Sequence, residues 1–556
     1  MMKVLLVSAI ATCFAVPALA QQVKPDNPYD TQAFTRELRN YFRLLALPGM
    51  SVAVVKDGKI IYRLNQGYSD VEKKVAVDDE SIFALASVTK GFTGVMMMQY
   101  EQEARISLDD YLLSYPFDSN LFSPHLVDPD TRLKHVLSMT SGGVPGTTFS
   151  YNGGRFNLLT GVFEKTSGRD DPRKAYATEV ETRILLPLHM KSTFDGWAEG
   201  PSALKARVVK RYDVAQGKEG PVFTDVPYDS NAAWPAPAAG LFSSVGDLAV
   251  YAAALDDDRL IPHTSYVEMT SPFPHGQRRE IPYGFGWLTQ EYRGIKLDWT
   301  YGEGSQDSAL FLRVPERKLT FIFLSNSGFP SHASRLQNGN ILRSPFALAF
   351  LKHFLLDDKR SNALVIDYDR DIETIKKELF AAGKDLDPVY LEELYTQALI
   401  RAYMRDALHA DSKQPEALTK LLYELHPQTF DSGDTPLIVM LSRIDVADLH
   451  DAADRWIRSL DISLDFRPEA IYFVGKYYEK IGDTANAMKY FRLLADSPRF
   501  VDEGAKIDAC LILGRYYIKQ GDVAKGREYI WKSALAAWDA HWQPSYLTDM
   551  LSQLGK

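Results

Sequence analysis

Cysteine is almost missing from this chain of 556 residues, which has two, Cys13 and Cys510. Cys13 falls in an N-terminal segment expected to be removed, so the mature protein keeps one thiol. An intramolecular disulfide and a thiolate zinc site are therefore excluded. Excess positive charge is missing too: 63 Lys and Arg against 72 Asp and Glu give a net charge of -9. That balance argues against a nucleic-acid or anionic-membrane partner. Beyond the N-terminus no apolar run is long enough to span a bilayer, so no integral membrane segment is expected after processing. What remains is 46% hydrophobic and 24% charged, a globular composition at a length that calls for two domains.

The chain opens Met1-Met2-Lys3, continues with a mostly apolar stretch over residues 4–16, and reaches Pro17-Ala18-Leu19-Ala20 before Gln21-Gln22. A positive start, an apolar centre and an Ala-x-Ala site describe a secretory signal peptide, residues 1–20, cut after Ala20. An uncleaved anchor is the plainer alternative, but about 17 apolar residues before a small-residue site favour removal. The expected location is periplasmic or secreted.

Chemistry concentrates at Ser87-Val88-Thr89-Lys90, which follows Ile82-Phe83-Ala84-Leu85-Ala86 and opens the helix-like stretch Gly91-Phe92-Thr93-Gly94-Val95-Met96-Met97-Met98. Residues three apart on a helix point the same way, so a hydroxyl and an amine share one cavity. A lysine partly desolvated at the positive end of a helix dipole is neutral enough to take the serine proton, and a weak nucleophile becomes an acylating one. The spacing alone is common: Ser202-Ala203-Leu204-Lys205 shares it, and about one or two chance matches are expected in a chain of this size. A serine capping its own helix beside an exposed lysine is the bland alternative.

The flanks decide between them. Downstream lie Leu137-Ser138-Met139-Thr140-Ser141-Gly142-Gly143-Val144-Pro145, Tyr151-Asn152-Gly153-Gly154-Arg155, Ala239-Gly240-Leu241-Phe242-Ser243-Ser244, Tyr283-Gly284-Phe285-Gly286-Trp287 and a closing Val314-Pro315-Glu316 before Leu319-Thr320-Phe321-Ile322-Phe323-Leu324. In this order they resemble the class C β-lactamase-like serine hydrolases, a family that also holds penicillin-binding esterases, D-aminopeptidases and DD-peptidases. The resemblance covers residues 27–356. It implies an α+β fold: an antiparallel sheet flanked by helices, one of them carrying Ser87, and a mostly helical part bearing Tyr151. It further implies Ser87 as nucleophile, Lys90 as its partner, and Tyr151 as a phenolate, stabilised by ammonium groups, that relays protons or activates water. No metal or organic cofactor is implied.

Departures from the family pattern lie at the site itself. Gly153 stands where an asparagine is usual, which puts in doubt the contact that holds the lysine and the substrate amide; Asn152 compensates only if the loop turns differently. Thirteen residues before Pro315, Thr300-Tyr301-Gly302 occupies the triplet of the groove-lining strand, and Thr300 stands where a lysine or histidine is usual. Gly302 is expected to let substrate lie against the strand. Glu303 is expected to add its backbone N–H to that of Ser87 in an oxyanion hole; its side chain either favours cationic substrates or is simply solvated. Met139 replaces a histidine in a structural place. Asn152, Gly153, Thr300, Tyr301 and Gly302 make the expected substrate-binding set.

Local pattern adds two strands around Lys56-Asp57-Gly58-Lys59, a tight turn, and a helix from Ser344 to Leu355. Asp357-Asp358-Lys359-Arg360-Ser361-Asn362 is a polar break, and residues 357–370 read as a linker. Residues 371–556 are helical and contain a repeat: Tyr472-Phe473-Val474-Gly475-Lys476-Tyr477-Tyr478 returns 39 residues later as Leu511-Ile512-Leu513-Gly514-Arg515-Tyr516-Tyr517, each followed by Gly-Asp. This resembles lengthened tetratricopeptide repeats and is expected to form an all-α domain that folds separately, and to offer a surface for a protein partner or merely a structural array. The whole reads as an exported serine hydrolase acting on an ester, amide or β-lactam in a small molecule or peptide, with esterase or peptidase activity ahead of β-lactamase activity. The alternatives are a penicillin-recognising protein that barely turns over and a scaffold that binds through its repeats.

Overall fold

The structure, a computed structural model, describes residues 29–116, 127–147, 149–169, 171–198, 200–228, 236–274, 282–355, 364–381, 386–409, 412–445, 447–459, 468–497, 503–539 and 552. The signal segment, residues 1–20, and much of the linker lie outside these.

Asp57 and Gly58 both take positive φ, 49° and 72°, the pair of left-handed conformations that a two-residue hairpin turn needs and that Asp-Gly tolerates. They join β1 (Gly49–Lys56) to β2 (Lys59–Asp70). A short β3 (Val75–Ala76) follows on the outer side of β2. Late in the chain β9 (Leu288–Tyr292), β10 (Ile295–Glu303), β11 (Ser308–Val314) and β12 (Leu319–Ser325) form a meander. The order β3-β2-β1-β12-β11-β10-β9 closes the region, because β1 pairs antiparallel with β12, Met50 opposite Ser325.

One face of the sheet is covered by residues on either side of it in sequence. The Pro345–Phe350 helix, capped by Ser344, stacks Phe346 on Phe323 at 4.1 Å and Phe350 on Phe321 at 5.1 Å. The Thr31–Leu44 helix packs beside it, Tyr41 against Phe346. On the other face lie the Thr89–Gln102 and Val245–Asp256 helices, with Tyr251 stacked on Phe92 at 4.0 Å and tilted on Phe311 at 5.7 Å. The Thr89–Gln102 helix is buried on nearly every side, so it passes through the core. Small strands β4 (Phe83–Ala84), β5 (Phe194–Asp195) and β8 (Leu241–Ser243) make a second sheet beside its start, and β6 (Tyr212–Gly217) pairs with β7 (Gly220–Asp225).

From Ile372 to Asp539 the described residues are almost wholly helical. The polar break does not separate two cores. The Pro388–Leu408 helix gives Ile400, Met404 and Leu408 to the core of the sheet region and Leu394, Tyr395, Ala398 and Ala402 to the next. Buried charges cross the same seam: the Lys352 amine lies 2.9 Å from Glu37 and 3.0 Å from Glu393, and Arg343 bridges Glu392 and Asp434, each at 2.8 Å. The separate fold expected of residues 371–556 is thus shared at its near end. The repeat itself forms two helix pairs, Pro468–Lys480 with Thr484–Ala495 and Glu503–Lys519 with Val523–Asp539. In each the repeated glycine sits where the helices cross, Gly475 under Phe491 and Gly514 under Ile530, and the repeated tyrosines stack at 5.7 Å, Tyr478 on Tyr490 and Tyr517 on Tyr529. Among the described residues no helix is long and apolar enough to cross a membrane.

Candidate active site

Ser87 lies in the Ala86–Val88 turn between β4 and the Thr89–Gln102 helix. The turn is bound to β8: Leu85 N–H donates to Leu241 O at 2.8 Å, Leu241 N–H donates to the Thr89 hydroxyl at 3.3 Å, and that hydroxyl donates to Ala86 O at 2.7 Å. Ala86 is held at φ 43°, a conformation rare outside glycine and common where a nucleophile is presented on a tight turn.

Three residues on, the amine of Lys90 reaches 2.6 Å from Ser87 Oγ and donates to Ala238 O at 3.0 Å. Lys90 is 1% exposed, and burial lowers its pKa to about 7. Near neutral pH a large share of the amine therefore carries a lone pair within reach of the serine proton. Ala238 directly precedes the Ala239-Gly240-Leu241 motif, turned by Gly240 at φ 135°. The Tyr283–Trp287 motif packs against the same helix turn: a side chain on Gly286 would meet Lys90 O at 2.4 Å, and one on Gly94 would meet Phe285 O at 2.3 Å. These glycines are required by close backbone approach.

Tyr151 enters from the other side. Its loop is fixed by Met139, buried and at φ 58°, whose carbonyl accepts from Ser150 N–H and whose sulfur accepts from Asn152 N–H. The Tyr151 ring lies 5.1 Å from the Lys90 amine, 5.2 Å from the Tyr301 ring and 5.9 Å from the Tyr283 ring. Burial pushes its pKa well up, hydrogen bonds with Ser87 and Tyr301 pull the other way, and the Glu303 charge pushes it up again. That upward direction favours the phenol over the phenolate that the resemblance implies, and it leaves Lys90 the better base.

Strand alternation decides what β10 offers. Arg293 and Gly294, both at positive φ, make a two-residue turn, so Ile295, Leu297 and Trp299 bond β9, which pairs no further than Trp299. Asp298, Thr300 and Gly302 bond β11, and the Gly304 N–H to Asp307 O bond sets the same phase from the far end. The backbone groups of Tyr301 and Glu303 consequently point to an unpaired edge beside the Ser87 turn. Strand phase thus leaves the Glu303 N–H on that edge.

Side chains alternate as well, and here the expectations need correction. Thr300 does not face the groove: it is 4% exposed, its methyl sits over Gly91, and its hydroxyl is buried without a hydrogen-bond partner. The residue of the triplet that reaches Tyr151 is Tyr301, whose ring lies 5.2 Å from that of Tyr151. Gly302 makes room for the Leu85 carbonyl, 2.1 Å from where a Cβ would be, so its missing side chain accommodates the nucleophile's own turn. Gly153 does face the lysine, with a Cβ position 3.7 Å from the amine and 3.8 Å from the Ala238 methyl, so glycine places no amide there. Asn152 instead caps the short Gly153–Phe156 helix, accepting from Arg155 N–H at 3.0 Å. Sequence reasoning missed the Ala238 carbonyl, Tyr283 and His332, whose Nε2 stands 3.7 Å from a Glu303 oxygen. Tyr283 sits in a motif already singled out and Ala238 directly precedes another; nothing in the sequence pointed to His332.

A family model described as Beta-lactamase matches residues 38–343. The chain is similar to a D-aminopeptidase of Gluconobacter oxydans (strain 621H), 26% identical over 275 residues that make up 43% of this chain and 48% of that protein. It is similar also to Protein flp of Staphylococcus aureus (strain MW2), 24% identical over 320 residues, 50% of this chain and 60% of that protein. The chain thus spans about half the length of the curated relatives it matches. Among solved structures, the octameric penicillin-binding protein homologue from Pyrococcus abyssi aligns with a TM-score of 0.47 and 21% identity, covering 58% of this chain and 77% of that one.

Proposed function

The chain belongs to the β-lactamase family, and on that premise we propose that it is an exported serine hydrolase forming an acyl-enzyme on Ser87. The observation that carries this reading is the buried Lys90 amine, 2.6 Å from Ser87 Oγ and with its pKa lowered to about 7. Lys90 takes the proton as Oγ attacks the substrate carbonyl. The N–H groups of Ser87 and Glu303 hold the tetrahedral oxyanion. The Tyr151 hydroxyl, backed by Tyr301, passes a proton to the leaving oxygen or nitrogen as its bond to the carbonyl carbon breaks. Water then attacks the acyl-enzyme, with Lys90 and Tyr151 moving its protons in the reverse sense, and Ser87 is regenerated.

Esters and peptides are favoured over β-lactams. With Tyr301 and Glu303 along the edge, no lysine or histidine of the strand triplet meets a substrate carboxylate, which forfeits a charge-assisted hydrogen bond worth about 1.5–3 kcal/mol. The lack of an amide side chain at Gly153 favours a second reading, a protein that acylates and turns over slowly. Incubation with a fluorescent penicillin, a fluorophosphonate and a short-chain nitrophenyl ester separates the two: the hydrolase turns over the ester, the slow acylator accumulates labelled Ser87, and an inert protein does neither. The helical pairs beyond Pro468 are proposed as the surface for a protein partner.

A further inference from the structure

Asp195 ends β5, is 8% exposed, and has no hydrogen-bond partner for either side-chain oxygen. The donors around it are engaged elsewhere. The Tyr176 hydroxyl bonds that of Thr93 at 2.8 Å, the Thr193 hydroxyl bonds Ser243 and Asp247, each at 2.8 Å, and the Gly196 N–H donates to Gly240 O at 3.0 Å. Burial pushes the Asp195 pKa well up, and the adjacent Gly196 N–H offsets little of this. The neutral acid is therefore favoured, and two oxygens sit in a dry place, a costly arrangement unless something bonds them. That acid lines a cavity of about 450 Å³ between the Pro172–Val180 helix, the Glu181–Leu185 turn and the short Ser202–Lys205 helix. Small-molecule sites span about 300–1,000 Å³. Leu185, Met190 and Leu204 give it apolar walls, and Leu186 is exposed at its mouth. Of its titratable groups, Glu181, His189 and Lys191 are exposed at the rim, and Asp195 alone is buried. Among the described residues no cation pairs with Asp195.

We propose that this cavity binds a small planar organic cation, an amidinium or guanidinium on an apolar body, with Asp195 as its counter-ion. Two unpartnered oxygens on one carboxyl suit a fork of parallel N–H donors better than the point charge of an ammonium. The apolar walls cover the rest of the ligand. The binding step balances: the cation arrives charged, Asp195 gives its proton to solvent, and an ion pair with two hydrogen bonds replaces a neutral acid with none. In a site closed to water such a pair is stronger than at the surface. The cavity shares no lining residue with the Ser87 groove, so the proposal stands independently of the acyl-enzyme reading.

The test is calorimetric titration of the full-length protein with benzamidine and with benzamide, its uncharged counterpart of the same shape, in the wild type and in Asp195→Asn. Asparagine keeps the shape and neutrality of the protonated acid, so the variant is expected to fold, which thermal unfolding checks. The wild type is expected to bind benzamidine with a Kd of about 1 mM or tighter, at least about tenfold more tightly than benzamide, and Asp195→Asn to bring the two ligands level. A second measurement needs no variant. Benzamidine titrated near neutral pH in two buffers of different ionisation heat should show a net release of protons, approaching one per ligand, as Asp195 ionises. Should Asp195→Asn fail to fold, that measurement decides: release supports the site, and its absence overturns it. No saturable binding of benzamidine, equal binding of the two ligands by the wild type, or a preference for benzamidine that survives Asp195→Asn also overturns it and leaves Asp195 a buried structural acid.

Discussion

The two ends of the helical region are held in place by different means. At the near end, Pro388–Leu408 shares its apolar side chains between two cores and brings Glu393 to a lysine buried in the sheet region. At the far end, Glu503–Lys519 and Val523–Asp539 pack on each other and on the preceding pair. Their charges, such as Lys532 with Asp496 at 3.2 Å, are exposed. The near end is part of the sheet region in all but sequence, whereas the far end is an array in which each pair needs only its neighbour. Activity should depend on the first and tolerate loss of the second.

Truncation should expose this difference most sharply. A chain ending at Arg370 uncovers the surface under Ile400 and Met404 and leaves Glu37 and Lys352 without Glu393; it is expected to aggregate and to lose Ser87 labelling. A chain ending at Ser497 should stay soluble and label at the wild-type rate. Equal behaviour of the two in labelling and thermal unfolding would erase the distinction.

Single substitutions repeat the contrast on a smaller scale. Lys352→Met takes the cation from Glu393 and leaves Glu37 with His353, both buried at the seam, and is expected to cost about 3–5 kcal/mol in denaturant unfolding. Lys532→Met, at an exposed pair, should cost less than about 1 kcal/mol.

Lys90→Ala should act on rate and leave the fold intact, lowering acylation about 10² or more. Because the deprotonated amine is the active form, the wild-type acylation rate should rise with pH through about 7 and level off above it. A stopped-flow pH profile in Lys90→Ala should lack that step.

The smallest effect concerns one oxygen. Tyr301→Phe removes the hydroxyl of the ring packed on Tyr151 and should slow turnover about fivefold, the worth of roughly 1 kcal/mol. Tyr517→Phe, the same change in the array, should leave turnover unaltered.

What could be read from the residues alone follows from how local each feature is. The Asp57-Gly58 hairpin, the Ser87–Lys90 pairing and the strand at Leu319–Ser325 depend on neighbours in sequence, and all three are present. The repeat glycines at 475 and 514 likewise mark helix crossings. The triplet on β10 misled because a shift of one residue turns every side chain to the opposite face, and that phase is set by the Arg293-Gly294 turn rather than by the triplet. The Lys90 partner, Ala238, lies 148 residues away. The polar break after Leu356 is a local property as well, and it says nothing of a helix that begins at Pro388 and packs back across it.

The central claim is that Ser87, activated by Lys90, is the nucleophile. It is tested most directly by intact-mass analysis and peptide mapping of the full-length protein after fluorophosphonate treatment at pH 6 and pH 8, beside Ser87→Ala. The account predicts one adduct, on the peptide carrying Ser87, formed faster at pH 8 and absent from the variant. An adduct on another serine, or undiminished labelling of Ser87→Ala, would contradict it.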